Sequence, residues 1–130
     1  MRVVLADREA DVMNALWEHG PSTVAEVQGH LSDVLAYTTV LTVLRKLESK
    51  KYVGHAEEGR AHRYRALVDR EVAQRNALKD LAAKLFKGST ELLLTHAVSE
   101  QKMSEAELRR LRQLIDRLMA KSPSSRSNKP

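Results

Sequence analysis

Cysteine does not occur in this 130-residue chain, which excludes a disulfide framework and any thiolate metal site. Aromatic side chains make up only 4% of it, so a core has to be built from leucine, valine, alanine and methionine. No apolar run approaches the roughly 20 residues that a membrane-spanning helix needs, and no association with a membrane is expected. The N-terminal stretch, with Arg2 and Asp7 in it, is too short and too soon charged for a signal peptide. A cytoplasmic protein is expected. The chain also lacks the patterns that carry catalysis: no HExxH pair, no glycine-rich phosphate loop, no nucleophile elbow and no paired catalytic carboxylates. No enzyme activity, cofactor or resident metal is therefore expected.

What remains is a globular composition, 42% hydrophobic and 30% charged, at a length that fits one average domain or two small ones. The net charge is +5, and its distribution is uneven. Residues 1–36 set two basic side chains (Arg2, Arg8) against six acidic ones, a balance of −4. Residues 37–66 set seven (Arg45, Lys46, Lys50, Lys51, Arg60, Arg63, Arg65) against Glu48, Glu57 and Glu58, a balance of +4. Positive charge gathered into one stretch is the electrostatic footprint of phosphate contact.

Val12, Met13, Leu16 and Trp17 form one apolar stripe and predict a helix from Asp7 to His19, with Asp7 as its N-cap and Gly20-Pro21 as its stop. Thr23-Val24-Ala25-Glu26 has capping-box spacing and opens a short second helix, whose buried side is Val24, Val27 and Leu31. Residues 37–51 predict a third. Val40, Val43, Leu44 and Leu47 are its core stripe, while Thr38, Leu41, Thr42 and Arg45 lie opposite. Lys and Glu have the better helix propensity for a plain solvated face. Threonine can bond to a base edge or a phosphate, an aliphatic group can meet the thymine methyl, and arginine can bond guanine bidentately. Residues 52–57 and 61–66 then read as two strands joined by a tight turn at Glu58-Gly59-Arg60.

Three short helices followed by a basic hairpin is the order of a winged helix-turn-helix, and the fold expected is mainly α. The third helix would enter the major groove, and Arg60, His62, Arg63 and Arg65 would bring the wing to phosphate. His55 and His62 sit on facing strands, but no third ligand is placed to complete a metal site.

From residue 69 the pattern is helical again. Residues 69–86 carry Val72, Leu78, Leu81, Ala82, Leu85 and Phe86; residues 89–98 carry Leu92-Leu93-Leu94. Ser104-Glu105-Ala106-Glu107 opens a last helix with Leu108, Leu111, Ile115 and Leu118 on one seam. Three helices over about fifty residues are too small to bury their apolar faces alone. Dimerisation through Val72, Leu85, Leu92, Leu108, Leu111, Ile115 and Leu118 is expected, two-fold homodimers being the commonest assembly. The organisation expected is a winged-helix DNA-binding domain over 1–68, a helical dimerisation domain over 69–121 and a disordered tail over 122–130.

Several of these runs together resemble the BlaI/MecI/CopY family of repressors, the penicillinase-repressor type. They are Val12-Met13 and Leu16-Trp17, Thr23-Val24-Ala25-Glu26-Val27, Ala36-Tyr37-Thr38-Thr39-Val40 with Arg45-Lys46-Leu47, and the wing run Gly59-Arg60-Ala61-His62-Arg63-Tyr64. The resemblance spans roughly residues 7–118. It implies a homodimer whose winged helices grip a pseudo-palindromic operator in double-stranded DNA. The groove-facing positions fall on Thr38, Thr39, Leu41, Thr42 and Arg45, the helix opens at Tyr37, and Lys46, Arg60 and Arg63 lie near phosphate.

The resemblance also implies a sensor protease as partner in the antibiotic-responsive branch, which is cut at an Asn-Phe bond. His96-Ala97 stands at that position here. The copper-responsive branch carries a C-terminal cysteine cluster that this chain lacks, so copper sensing is not expected. Lys51 stands where many members have glycine at the end of the third helix, and a side chain in the left-handed conformation costs about 1–2 kcal/mol. The alternative reading of the same pattern is a winged-helix module that docks to another protein without sequence-specific DNA binding.

Overall fold

The computed structural model describes residues 2–100 and 102–121. The tail expected over 122–130 lies outside them. The element order is α1 (Asp7–His19), β1 (Ser22–Thr23), α2 (Val24–His30), α3 (Tyr37–Ser49), β2 (Val53–Glu58), β3 (Ala61–Ala66), α4 (Arg70–Leu85), α5 (Thr90–Glu100) and α6 (Glu105–Lys121).

The N-cap of α1 is Ala6 and not Asp7, which becomes the first helical residue. Glu9, at the third helical position, turns its carboxylate back to accept from the Ala6 N–H at 2.8 Å, the glutamate half of a capping box, and so marks Ala6 as the cap. At α2 the expected capping box is complete. Thr23 Oγ1 accepts from the Glu26 N–H at 3.2 Å, and the Glu26 carboxylate accepts from the Thr23 N–H at 2.9 Å.

Helix α3 buries Val40, Leu44 and Leu47 completely against Val12, Met13 and Leu16 of α1 and Val24 and Val27 of α2, with Val43 half-buried beside them. It ends at Ser49 in a Schellman motif. The Lys51 N–H donates to the Glu48 carbonyl at 2.9 Å, and the Tyr52 N–H donates to the Leu47 carbonyl at 3.0 Å. Lys51 takes the left-handed conformation this motif requires, with φ 68°. Tyr52 and Leu47, the pair whose contact accompanies the motif, are both buried.

The sheet is antiparallel with strand order β1-β3-β2. Its hairpin turns at Gly59-Arg60, between the paired Glu58 and Ala61, with Gly59 at φ 61°. The two-residue strand β1 has no signature in the sequence, being too short to alternate; it pairs Ser22 with Tyr64 and Thr23 with Arg63. Tyr64 fills the space between sheet and helices and is buried.

The chain divides into two compact units, with the division between Gly88 and Ser89. Helix α4 belongs to the first. Val72 and Ala73 pack against its core, and the Asn76 side chain accepts from the Val3 N–H at 2.8 Å while donating to the Val72 carbonyl. Lys87 and Gly88 close α4 with positive φ. In the second unit, Ser104 and Glu107 exchange capping-box hydrogen bonds at 3.0 and 3.1 Å to start α6. No residue of α6 is buried.

Candidate nucleic-acid interface

The packing of α3 decides what it presents. With Val40, Leu44 and Leu47 committed to the core, Tyr37, Thr38, Thr39, Thr42, Arg45 and Lys46 are exposed. Leu41 is half-buried at the margin between the two sides. Tyr37, Leu41 and Arg45 line a shallow cleft whose other wall is formed by Arg60, Ala61 and His62 of the hairpin. Helix α3 and the hairpin thus line one cleft from its two sides. The Thr42 hydroxyl donates to the Thr38 carbonyl at 2.8 Å. What Thr42 offers outward is therefore a methyl group and a hydroxyl oxygen that can still accept.

The basic side chains of residues 37–66 separate into two groups. Lys50 is turned inward, with Nζ 2.9 Å from both Glu9 oxygens. Arg63 is also committed: it meets Glu58 through Nε and one terminal nitrogen, and reaches Glu26 at 3.0 Å and the Pro21 carbonyl at 3.1 Å through the other. These hydrogen bonds, Glu58's first, raise the Arg63 pKa further; Glu58 is held below its ordinary value by Arg63. Glu26 is held down chiefly by the Thr23 N–H, then by Arg63. Among the described residues, Arg45, Lys46, Lys51, Arg60 and Arg65 form no ion pair.

The wing histidines stack face to face, His55 on His62, with centroids 4.3 Å apart and planes 9° from parallel. His55 Nδ1 also meets the Glu48 carboxylate of α3. Tyr64 lies beneath them, its phenol pushed up by burial and then by the Glu48 charge. His19 and His30, which end α1 and α2, stack likewise at 3.7 Å. Among the described residues no three His, Asp or Glu side chains gather as a metal site would need.

The structure therefore brings Tyr37, Leu41 and Arg45 together with Arg60 around one cleft, leaves Thr38, Thr39, Thr42 and Lys46 exposed on the same helix, and pairs Arg63 with Glu58 and Glu26. Arg65 is exposed and forms no ion pair among the described residues; sequence alternation puts it on the same side as Arg63 but does not separate the two. That separation depends on Glu26, which β1 brings beside Arg63, and β1 is the element the sequence does not reveal. Of the residues expected to dimerise, Val72 packs into the first unit. Leu85 (68%), Leu92, Leu108, Leu111, Ile115 and Leu118 are all exposed.

Three helices, a bridging strand and a hairpin, with an outward polar face on the third helix, define a winged-helix DNA-binding protein. The family described as penicillinase repressors matches residues 5–117. The chain is 35% identical to the transcriptional regulator BlaI of Mycobacterium tuberculosis, over 97% of this chain and 90% of that one. It is 23% identical to the penicillinase repressor of Bacillus licheniformis, over 86% and 89% of the two chains. Among solved structures, it is similar to the solution structure of monomeric Bacillus licheniformis BlaI in complex with the blaP half-operator. That likeness has 27% identity, covers 55% of this chain and 90% of the other, and gives a TM-score of 0.48. This chain belongs to the penicillinase repressor family, DNA-binding transcriptional repressors and not enzymes. Among the described residues no helix is long and apolar enough to cross a membrane.

Proposed function

We propose that the protein represses transcription as a cytoplasmic homodimer that seats one α3 helix in each of two major grooves of a pseudo-palindromic operator. The observation that carries this reading is the outward face of α3: Thr38, Thr42 and Arg45 stand exposed on a helix whose opposite side is fully buried. Such side chains contribute nothing to the core, yet they match the donors, acceptors and methyl groups at base edges. Thr39 and Leu41 belong with them as groove-facing positions; Tyr37 opens the helix beside them, and Lys46 and Arg60 would hold phosphate, which sets register without reading sequence.

DNA contact is assigned to residues 1–68 and dimerisation to a surface within 69–121. Leu108, Leu111, Ile115 and Leu118 recur along α6 at the three- and four-residue steps of a helix–helix seam, and α6 buries none of them within its own chain. A two-fold dimer would match a two-fold operator. For relief of repression the family resemblance suggests a sensor protease as partner, although His96-Ala97 stands where the antibiotic-responsive branch is cut at Asn-Phe. A winged-helix unit released in that way keeps one half-site and loses the gain from bivalent binding.

The test is selection from random-sequence duplex DNA with the full chain, followed by titration of the enriched duplex at several salt concentrations. Enrichment of inverted repeats, and an affinity that falls steeply with salt, is expected. Recovery of no common sequence would leave the fold serving protein–protein contact instead.

A further inference from the structure

We infer that Arg63 is a positioning residue that clamps the wing to the start of α2, so that Arg60 at the hairpin turn reaches DNA; this rests on the DNA-binding reading above. The guanidinium has five N–H donors, and four of them are already used. Nε and one terminal nitrogen grip both Glu58 oxygens, at 2.5 and 3.1 Å, and the other terminal nitrogen donates to Glu26 and to the Pro21 carbonyl. One fork therefore joins the end of β2, through Glu58, to the segment that enters α2, through Pro21 and Glu26.

Glu26 is itself fixed, because it also accepts the Thr23 N–H in the α2 capping box. Pairing of Thr23 with Arg63 in the sheet places the arginine beside that box. The group of Arg63, Glu58 and Glu26 carries a net negative charge. A phosphate brought to it would meet two carboxylates for one guanidinium and would have to displace a formed bidentate pair. Arg60, by contrast, is exposed and forms no ion pair among the described residues.

An exposed ion pair adds little to global stability, so the clamp acts on the order of the hairpin and not on the melting temperature. Lysine cannot replace it, since a single ammonium has no planar fork to span two carboxylates and a carbonyl.

The experiment compares R63A, R63K, E58Q, R60A and R60A/R63A in the full chain, first without DNA. Amide hydrogen exchange over residues 54–65 should quicken in R63A, R63K and E58Q while the α1 and α3 core amides stay as slow as in the parent. Unchanged exchange in the wing overturns the clamp, whatever the DNA results, and a parent chain that binds no duplex overturns the DNA reading separately.

Operator titrations then read its consequence. R63A and R63K should each weaken binding on the order of tenfold, about one contact's worth. R60A should cost nearly nothing more once Arg63 is gone. E58Q removes a negative charge from the DNA-facing wing and should nonetheless weaken binding. An R63K variant that binds like the parent, additive losses in R60A/R63A, or tighter binding by E58Q would make Arg63 a direct phosphate ligand and defeat the inference.

Discussion

The Glu9 carboxylate and the Lys50 ammonium meet at 2.9 Å, joining the first turn of α1 to the end of α3. Glu9 is only 3% exposed. Burial alone would raise its pKa, but the Ala6 N–H, the Lys50 hydrogen bond and the charges of Lys50 and Lys46 outweigh burial and hold it below its ordinary value. Because the folded-state pKa is depressed, the pair stabilises the fold fully above the unfolded glutamate pKa of about 4.3. That contribution fades as pH falls through the folded value.

Glu9→Gln should therefore cost about 1–3 kcal/mol at pH 7, the penalty of a buried charged hydrogen bond broken on one side. The gap from the parent should close below pH 4. Urea unfolding at several pH values measures both. A gap that stays constant down to pH 3 would show that the substitution acts through packing and not through charge.

At the other end of the same helix, Lys51 holds φ 68° for the Schellman motif. Lys51→Gly should remove about 1–2 kcal/mol of left-handed strain. Glycine's greater unfolded-state freedom takes part of that back, for a net gain of about 1 kcal/mol. A lower denaturation midpoint in the glycine variant would contradict this.

How far the sequence reveals this architecture depends on how each element is specified. Helices α1 and α3 show themselves because their stripes, Val12-Met13-Leu16 and Val40-Leu44-Leu47, are the core. The cap of α2 is legible because Thr23 and Glu26 stand three residues apart. Strand β1 is not legible, since two residues have no period and its pairing is imposed by Tyr64 and Arg63 across the sheet. The same gap hides the division of labour among the arginines. Arg45, Arg60, Arg63 and Arg65 look alike in sequence, and only the neighbours brought up by the fold tie one of them inward. The α1 cap is misread for a different reason: Ala6 has no capping side chain, and the signal is Glu9 at the third helical position, whose carboxylate accepts the Ala6 N–H.

On α6, the exposed Leu111 and Ile115 (55%) give a test of assembly that does not endanger the chain's own fold, because neither is buried within it. The parent should sediment as a dimer. Replacing both with glutamine should give monomers, each aliphatic group contributing roughly 1.5–3 kcal/mol when buried between copies. Helical content should change little. A doubly substituted chain that still sediments as a dimer would move the interface elsewhere.

Thr42 and Arg45 are exposed one turn apart on the face of α3 opposite Val40, Leu44 and Leu47. If that face reads DNA, Thr42→Ala and Arg45→Ala should leave the melting curve nearly unchanged and weaken operator binding by about 1–3 kcal/mol per lost base contact. Binding to scrambled duplex should fall much less. The decisive measurement is a pair of titrations of the Arg45→Ala chain, operator against scrambled DNA at one salt concentration, with a melting curve beside them. Loss of operator preference at parental melting temperature is the result expected. An Arg45→Ala chain that melts early yet keeps full operator preference would place that face in the fold's support and remove α3 from the DNA.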